Sequence, residues 1–135
     1  MTTDWRFLVE YRKIAIIGAS NDRTKYGNKA VRAYVAEGMT VYPINPNETQ
    51  IEGVACFRSI LDIPDEVEMA SLYLPPAIGI RVLDEIARKG VKELLINPGA
   101  ESPELLARAE ELGINYAVAC SIVAIGRSPG EFGSA

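Results

Sequence analysis

Histidine is absent from this 135-residue chain. That excludes a Ser-His-Asp or Cys-His nucleophile system, a metal site containing histidine, and a phosphohistidine intermediate. Cysteine is scarce. Cys56 and Cys120 are the only two, too few for a disulfide framework and too far apart for metal-site spacing. Free thiols in a reducing cytoplasm are the simpler expectation. No apolar run approaches the roughly 20 residues needed to cross a bilayer, and no charged-then-apolar leader opens the chain. A cytoplasmic protein with no membrane partner is therefore expected. The net charge of −4 gives no basic surface for nucleic acid. There is no G-x-x-x-x-G-K-[ST], so a P-loop NTPase is disfavoured. Internal repeats, low-complexity tracts and linkers are also missing, so residues 1–135 are read as one domain.

What is present is enough apolar material for a core, at 48% of residues. A chain of this length buries about two-thirds of its unfolded surface. The basic residues are unevenly placed. Arg12, Lys13, Arg23, Lys25, Lys29 and Arg32 fall in one stretch whose only acid is Asp22. An acidic protein with one basic segment suits a small polyanion better than a duplex.

The apolar pattern alternates between short β-branched runs and amphipathic stretches. Residues 3–11 read as a helix with Trp5, Leu8 and Val9 on one face, and the N-terminal helix is placed at 2–11. Strands are expected at 13–17, 40–44, 69–74, 93–96 and 116–119. A helix from Lys25 or Asn28 to Glu37 would bury Val31, Tyr34 and Val35. A second follows Pro75-Pro76 and carries Val82, Leu83 and Ile86 to a stop at Gly90. A third has Ser102 as its cap and Pro103 at its first position. An extended piece near 54–57 and a turn of helix near 59–62 lie between strands two and three. The tail, 122–135, is expected to be irregular. Alternating strands and helices give an α/β fold, a Rossmann-like doubly wound domain with a five-stranded, mostly parallel sheet. In such sheets ligands lie outside the carboxyl ends of the strands.

The residues at those ends are the candidates. Ile14-Ala15-Ile16-Ile17-Gly18-Ala19-Ser20-Asn21 is a strand running into a βα turn, where backbone N–H groups can face a phosphate. Of G-x-G-x-x-G only the first glycine is matched; Ser20 and Arg23 occupy the other two places. Ser20 would offer a hydroxyl to a phosphate, or the turn is an ordinary tight connection. Arg23 and Lys25 could pair with phosphates, Tyr26 could pack on the ligand, and Gly27 would allow close approach. Strand two ends in Asn45-Pro46-Asn47 without the acid that grips an NAD ribose. Asn45 could reach a ribose or adenine edge, or simply turn the chain. Leu74-Pro75-Pro76 and Asn97-Pro98-Gly99 are stiff strand ends that could form a wall for adenine or a pantetheine arm. Cys120 follows the last strand, where a thiol could meet a ligand thiol or pack as a small hydrophobe.

Taken together, Ile14–Ser20, Gly38 with Val41-Tyr42-Pro43-Ile44-Asn45-Pro46, Ile51-Glu52-Gly53, Ser59-Ile60-Leu61-Asp62-Ile63-Pro64, Pro75-Pro76, Gly90-Val91-Lys92 and Cys120 resemble the CoA-binding domain family. That Rossmann-like domain also begins the alpha subunits of succinyl-CoA synthetase and ADP-forming acyl-CoA synthetases. The resemblance spans about residues 10–121 and looks like the single-domain branch. It implies coenzyme A held at Gly18, Ala19, Ser20 and Asn21, at Asn45 and Pro46, and at the ends of strands three and four. Two positions depart from the pattern. The family usually has Lys or Arg after the Asn-Pro pair, where this chain has Asn47, and often Trp-x-Gln-x-Gly where it has Leu95-Ile96-Asn97-Pro98-Gly99.

The leading expectation is non-catalytic binding of coenzyme A or acyl-CoA. The alternatives are an NAD(H)-type sensing module, or an interaction domain without a ligand. A small hydrolase or transferase is weaker, because no acid, base and nucleophile stand together. A homodimer or a separately encoded enzyme partner is compatible with either binding reading.

Overall fold

Side chains along the buried strands point alternately to the two faces of the sheet, and this alternation sets the layers. The computed structural model describes residues 11–134. In β1 (Lys13–Ile17), Ile14 and Ile16 face one side of the sheet while Ala15 and Ile17 face the other. β2 (Thr40–Ile44), β5 (Met69–Leu72) and β6 (Glu93–Ile96) divide their side chains in the same way. Strands apolar on both faces belong in a parallel sheet covered on both sides. The five-stranded sheet has the order β2-β1-β5-β6-β7, where β7 is Tyr116–Val118, and every pairing in it is parallel.

One face packs α2 (Pro76–Lys89) and α3 (Pro103–Glu111) through Leu83, Ile86, Leu105 and Ala109. The other packs α1 (Tyr26–Ala36) through Ala30, Val31, Ala33 and Tyr34. Val35 is exposed rather than part of the α1 stripe. One residue further along a helix is about 100° further round, which carries Val35 past the sheet. α3 has its Ser102 cap on the Leu105 N–H and Pro103 in the first turn. α2 ends at Gly90 in the left-handed region, with φ of 77°.

Three local features differ from expectation. The third long strand stops at Leu72, two residues early, so Tyr73 and Leu74 belong to its exit loop. Between strands two and three lies a small hairpin, β3 (Gln50–Ile51) and β4 (Val54–Ala55). Its Glu52-Gly53 turn has positive φ at both residues, 51° and 76°, the signature of a two-residue type I′ connection. The stretch expected to be irregular carries α4 (Ser121–Ala124) and a capped 3-10 turn, Pro129–Glu131. Ile122 and Phe132 of that stretch are buried against the α1 face. The expected helix over 2–11 lies outside the described residues except for Tyr11, which is in no helix or strand.

The start of α1 is pressed onto the β1 turn. A Cβ at Gly27 would lie 2.3 Å from the Gly18 carbonyl oxygen. Gly18 has φ of 89°, and a Cβ there would meet the Tyr73 backbone at 3.0 Å. We expect Gly27→Ala to destabilise the domain by about 3 kcal/mol in urea unfolding, since backbone must move to admit the methyl. Gly130→Ala, whose Cβ would meet only the Ser128 hydroxyl at 3.6 Å, should stay within about 0.5 kcal/mol of wild type.

Candidate functional site

The chain leaves β1 for β2 on one side and later returns to β5 on the other. Where strand order reverses in this way, the loops diverge and a crevice opens at the carboxyl ends. A cleft of about 450 Å³ lies there. It gathers Gly18, Ala19, Ser20 and Lys25 from the β1 exit, Asn45, Pro46 and Asn47 from the β2 exit, and Leu74 and Pro75 from the β5 exit. A second cleft of about 560 Å³ adjoins it and shares Gly18, Lys25, Tyr73, Leu74 and Pro75. This one adds Tyr26, Gly27, Pro76, Asn97, Pro98 and Gly99. A third space of about 280 Å³ continues to Cys120, again past Tyr26, Tyr73, Asn97 and Pro98. The three together run along the carboxyl edge from β2 to β7.

Asn21 and Arg23 are the two candidates outside this trough. The hairpin takes both of them. The Asn21 amide donates to Glu48 Oε2 at 2.7 Å and to the Gln50 carbonyl at 3.0 Å. Arg23 Nε lies 3.4 Å from Glu52 Oε2. Glu52 also accepts from the fully buried Asn28 amide, which bonds the Ser20 carbonyl at 2.8 Å. Arg32 in turn donates to Asn28 Oδ1 at 2.8 Å. The β1 turn is thus anchored to α1 and to the hairpin through side-chain amides.

Two other asparagines shape the walls and have no amide atoms to spare. Asn45 Nδ2 donates to the Ala19 carbonyl at 2.9 Å, and its Oδ1 accepts from the Asn47 N–H at 2.8 Å. It ties the β1 and β2 exits together while lining the cleft. Asn97 donates to Ser71 Oγ at 2.9 Å and the Leu72 carbonyl at 3.0 Å, and accepts from the Ser121 N–H at 2.8 Å. Ser71 and Ser121 share a further hydroxyl contact, and Tyr34 donates to the Ser121 carbonyl at 2.7 Å. Ser20 accepts the Asp22 N–H at 3.0 Å, which leaves its own O–H to donate.

The charge in the trough has one sign. No Asp or Glu lines any of its three parts, whereas Lys25 and Arg58 line the first. Among the described residues neither of these cations is held in an ion pair. α1 begins at this point with no side chain capping its first N–H groups, which leaves them for an anion. Arg58 has no signal in the sequence. It reaches the cleft because Phe57 bridges to Ile44 at the end of β2. Tyr73 escapes a reading that ends the strand at Leu74, and Pro129 arrives from the folded tail. Burial pushes the Cys56 thiol up, and Cys56 lines none of these spaces.

Residues 12–126 match the model of the CoA binding domain. The chain belongs to that family. It is 40% identical over 103 residues to the ADP-forming acetate–CoA ligase II of Archaeoglobus fulgidus, covering 75% of this chain and 15% of the ligase. It is 40% identical over 88 residues to the alpha subunit of the Pyrococcus furiosus ADP-forming acetate–CoA ligase II, covering 63% of this chain and 19% of that subunit. The chain therefore spans less than a fifth of the curated relatives it matches. A solved structure, a conserved hypothetical protein of Pyrococcus furiosus, superposes with a TM-score of 0.79 at 38% identity, covering 84% of this chain and 98% of the other. Among the described residues no helix is long and apolar enough to cross a membrane, and no cluster of side chains is arranged to hold a metal ion.

Asn97→Ala would leave the buried Ser121 N–H and Ser71 hydroxyl short of a partner. The expected cost is about 2–4 kcal/mol in chemical denaturation.

Proposed function

We propose that this domain binds coenzyme A or an acyl-CoA without transforming it. The carrying observation is the acid-free trough at the strand-order switch, with Lys25, Arg58 and the uncapped start of α1 at its β1–β2 end. A nucleotide diphosphate would lie against the Gly18–Ser20 turn and the N–H groups of α1, with Lys25 beside it. Its ribose would face Asn45–Asn47. An NAD ribose calls for a carboxylate at that place. Here the nearest acid in sequence, Glu48, accepts a hydrogen bond from Asn21, and Arg58 stands at the cleft. A guanidinium suits a phosphorylated ribose, as in coenzyme A, better than a free hydroxyl pair. Arg58 would then supply the cation that Asn47 does not. The pantetheine arm would follow Leu74–Pro76 and Asn97–Gly99 toward Cys120.

A binding role, rather than a catalytic one, is supported by the chain's lack of histidine and by the absence of carboxylates from the trough. Proton transfer at neutral pH would have no evident base or acid there. We extend the proposal to a separately encoded partner that carries out the chemistry, because one relative of this chain is the alpha subunit of a ligase.

Isothermal titration tests the reading. Coenzyme A should bind, while NADH and ATP should not. Arg58→Ala should weaken coenzyme A by roughly tenfold and dephospho-coenzyme A much less, since the lost contact is a charge-assisted bond to the ribose phosphate. Binding of NADPH without coenzyme A would reject the assignment, and equal loss for both coenzyme A forms would remove Arg58 from the phosphate.

A further inference from the structure

A turn that binds an anion must present N–H groups and keep its carbonyl oxygens off the ligand. In the Gly18–Ser20 turn each carbonyl is engaged by a different part of the fold. That of Gly18 lies against Gly27, where a Cβ would come within 2.3 Å of it. That of Ala19 accepts from the Asn45 amide at 2.9 Å, and that of Ser20 from the Asn28 amide at 2.8 Å. The N–H groups are left over. Among the described residues none accepts a hydrogen bond from the N–H of Ala19, Ser20 or Asn21. The two facts are linked, because a trans peptide points its C=O and the next N–H in opposite directions.

Asn28 differs from the other two partners. It lies in the first turn of α1 with no exposed surface, so no ligand reaches it. A buried amide is costly unless its atoms are matched, and here they are. Its Nδ2 donates to the Ser20 carbonyl and, at 3.0 Å, to Glu52 Oε2, while its Oδ1 accepts from Arg32 Nε at 2.8 Å. These partners fix which way round the amide sits. A guanidinium can only donate, so the amide oxygen must face Arg32, and the nitrogen is left for the carboxylate and the carbonyl. Both partners are themselves held. Arg32 donates to the carbonyls of Arg23 at 3.1 Å and Gly133 at 2.8 Å. Glu52 sits in the tight hairpin turn and meets Arg23 at 3.4 Å.

We propose that Asn28 is the positioning residue of the anion site. It holds the Ser20 carbonyl out of the cleft and so leaves the neighbouring N–H groups to a diphosphate, with Glu52 and Arg32 setting its orientation. In the dinucleotide fingerprint a second glycine lets the pyrophosphate approach the backbone. Ser20 stands in that place here, and a side chain behind the turn orients the peptide instead. The inference rests on the coenzyme A reading only for the identity of the molecule that carries the diphosphate.

Inorganic pyrophosphate, coenzyme A and pantetheine separate these roles. In nuclear magnetic resonance titrations of the wild-type chain, pyrophosphate should shift the amide signals of Ser20 and Asn21. Asn28→Ala should weaken pyrophosphate and coenzyme A alike by about tenfold, the scale of one charge-assisted hydrogen bond. Pantetheine, which has no diphosphate, should stay within about twofold of its wild-type affinity. Glu52→Ala should act in the same direction, and Glu52→Gln, which keeps an acceptor for the Asn28 amide, should restore binding to within about twofold of wild type. If Asn28→Ala fails to fold by circular dichroism, the two Glu52 variants decide the matter. Unchanged pyrophosphate affinity in folded Asn28→Ala would overturn the positioning role. So would a loss shared equally by pantetheine, or unmoved Ser20 and Asn21 amides in the wild type. Pyrophosphate binding by a wild-type chain that ignores coenzyme A would overturn the coenzyme A reading instead, and leave the role of Asn28 standing.

Discussion

Gly27 touches the Gly18 carbonyl through bare backbone, and the site is arranged around that contact. With a Cβ separation of only 2.3 Å available, no other residue lets α1 start where it does. The close approach sets the uncapped N–H groups of α1 beside the β1 turn. It also places Lys25, the residue just before the helix, at the junction of the first two clefts. In dinucleotide folds the third glycine of the fingerprint has the job of close helix–strand packing. Here that job falls to a glycine further along, after a longer loop. The fingerprint is therefore not degenerate so much as redistributed.

Around this contact the hairpin decides which charges remain available. Glu48 and Glu52 draw in Asn21, Asn28 and Arg23. Two acids that follow β2 and one base of the first βα loop are thereby spent on architecture. Glu52 is held at φ of 51° in a two-residue turn, a conformation that a non-glycine residue adopts at some cost. Its contacts with Asn28 and Arg23 offset that cost and clamp the loop. What is left at the cleft is Lys25 and Arg58, with no carboxylate to oppose them. A chain with net charge −4 thus presents a locally basic, dipole-favoured site.

The trough changes along its length from basic to apolar. At the β1–β2 end are cations and free N–H groups, and in the middle are the prolines of two strand exits. Uncharged side chains and a shielded phenol close the far end. That gradient parallels coenzyme A itself, which runs from a phosphorylated nucleotide to an uncharged thiol arm. The match covers only 15% and 19% of the ADP-forming ligases that this chain resembles, so their further segments have no counterpart in the residues described.

The division between what could be read and what could not follows the range of the interactions. Strands and helices were legible because their signals are local: β-branched runs at 13–17 and 93–96, the Ser102-Pro103 helix start, and Gly90 after the last turn of α2. The strand exits were legible too, since a doubly wound sheet puts ligands there whatever the residues are. Most of the candidates around Gly18, Asn45, Pro75 and Asn97 accordingly meet in one trough. The roles of the polar side chains were not legible. Asn45 and Asn97 look like ligand contacts in sequence, yet each spends its amide on a carbonyl from another strand exit or strand. Arg23 is the arginine that the sequence points to, yet an ion pair with Glu52 takes it, while a strand bridge through Phe57 delivers Arg58, which has no signal in the sequence. The tail reads as irregular because Pro129 and its glycines lack periodicity; Ile122 and Phe132 fold it only by finding the α1 face. The chain alone determined the layers and the edge at which the trough opens, because these rest on periodicity and chain direction. The tertiary structure decided which charges face that edge and which wall closes it, because those depend on partners brought together from distant segments.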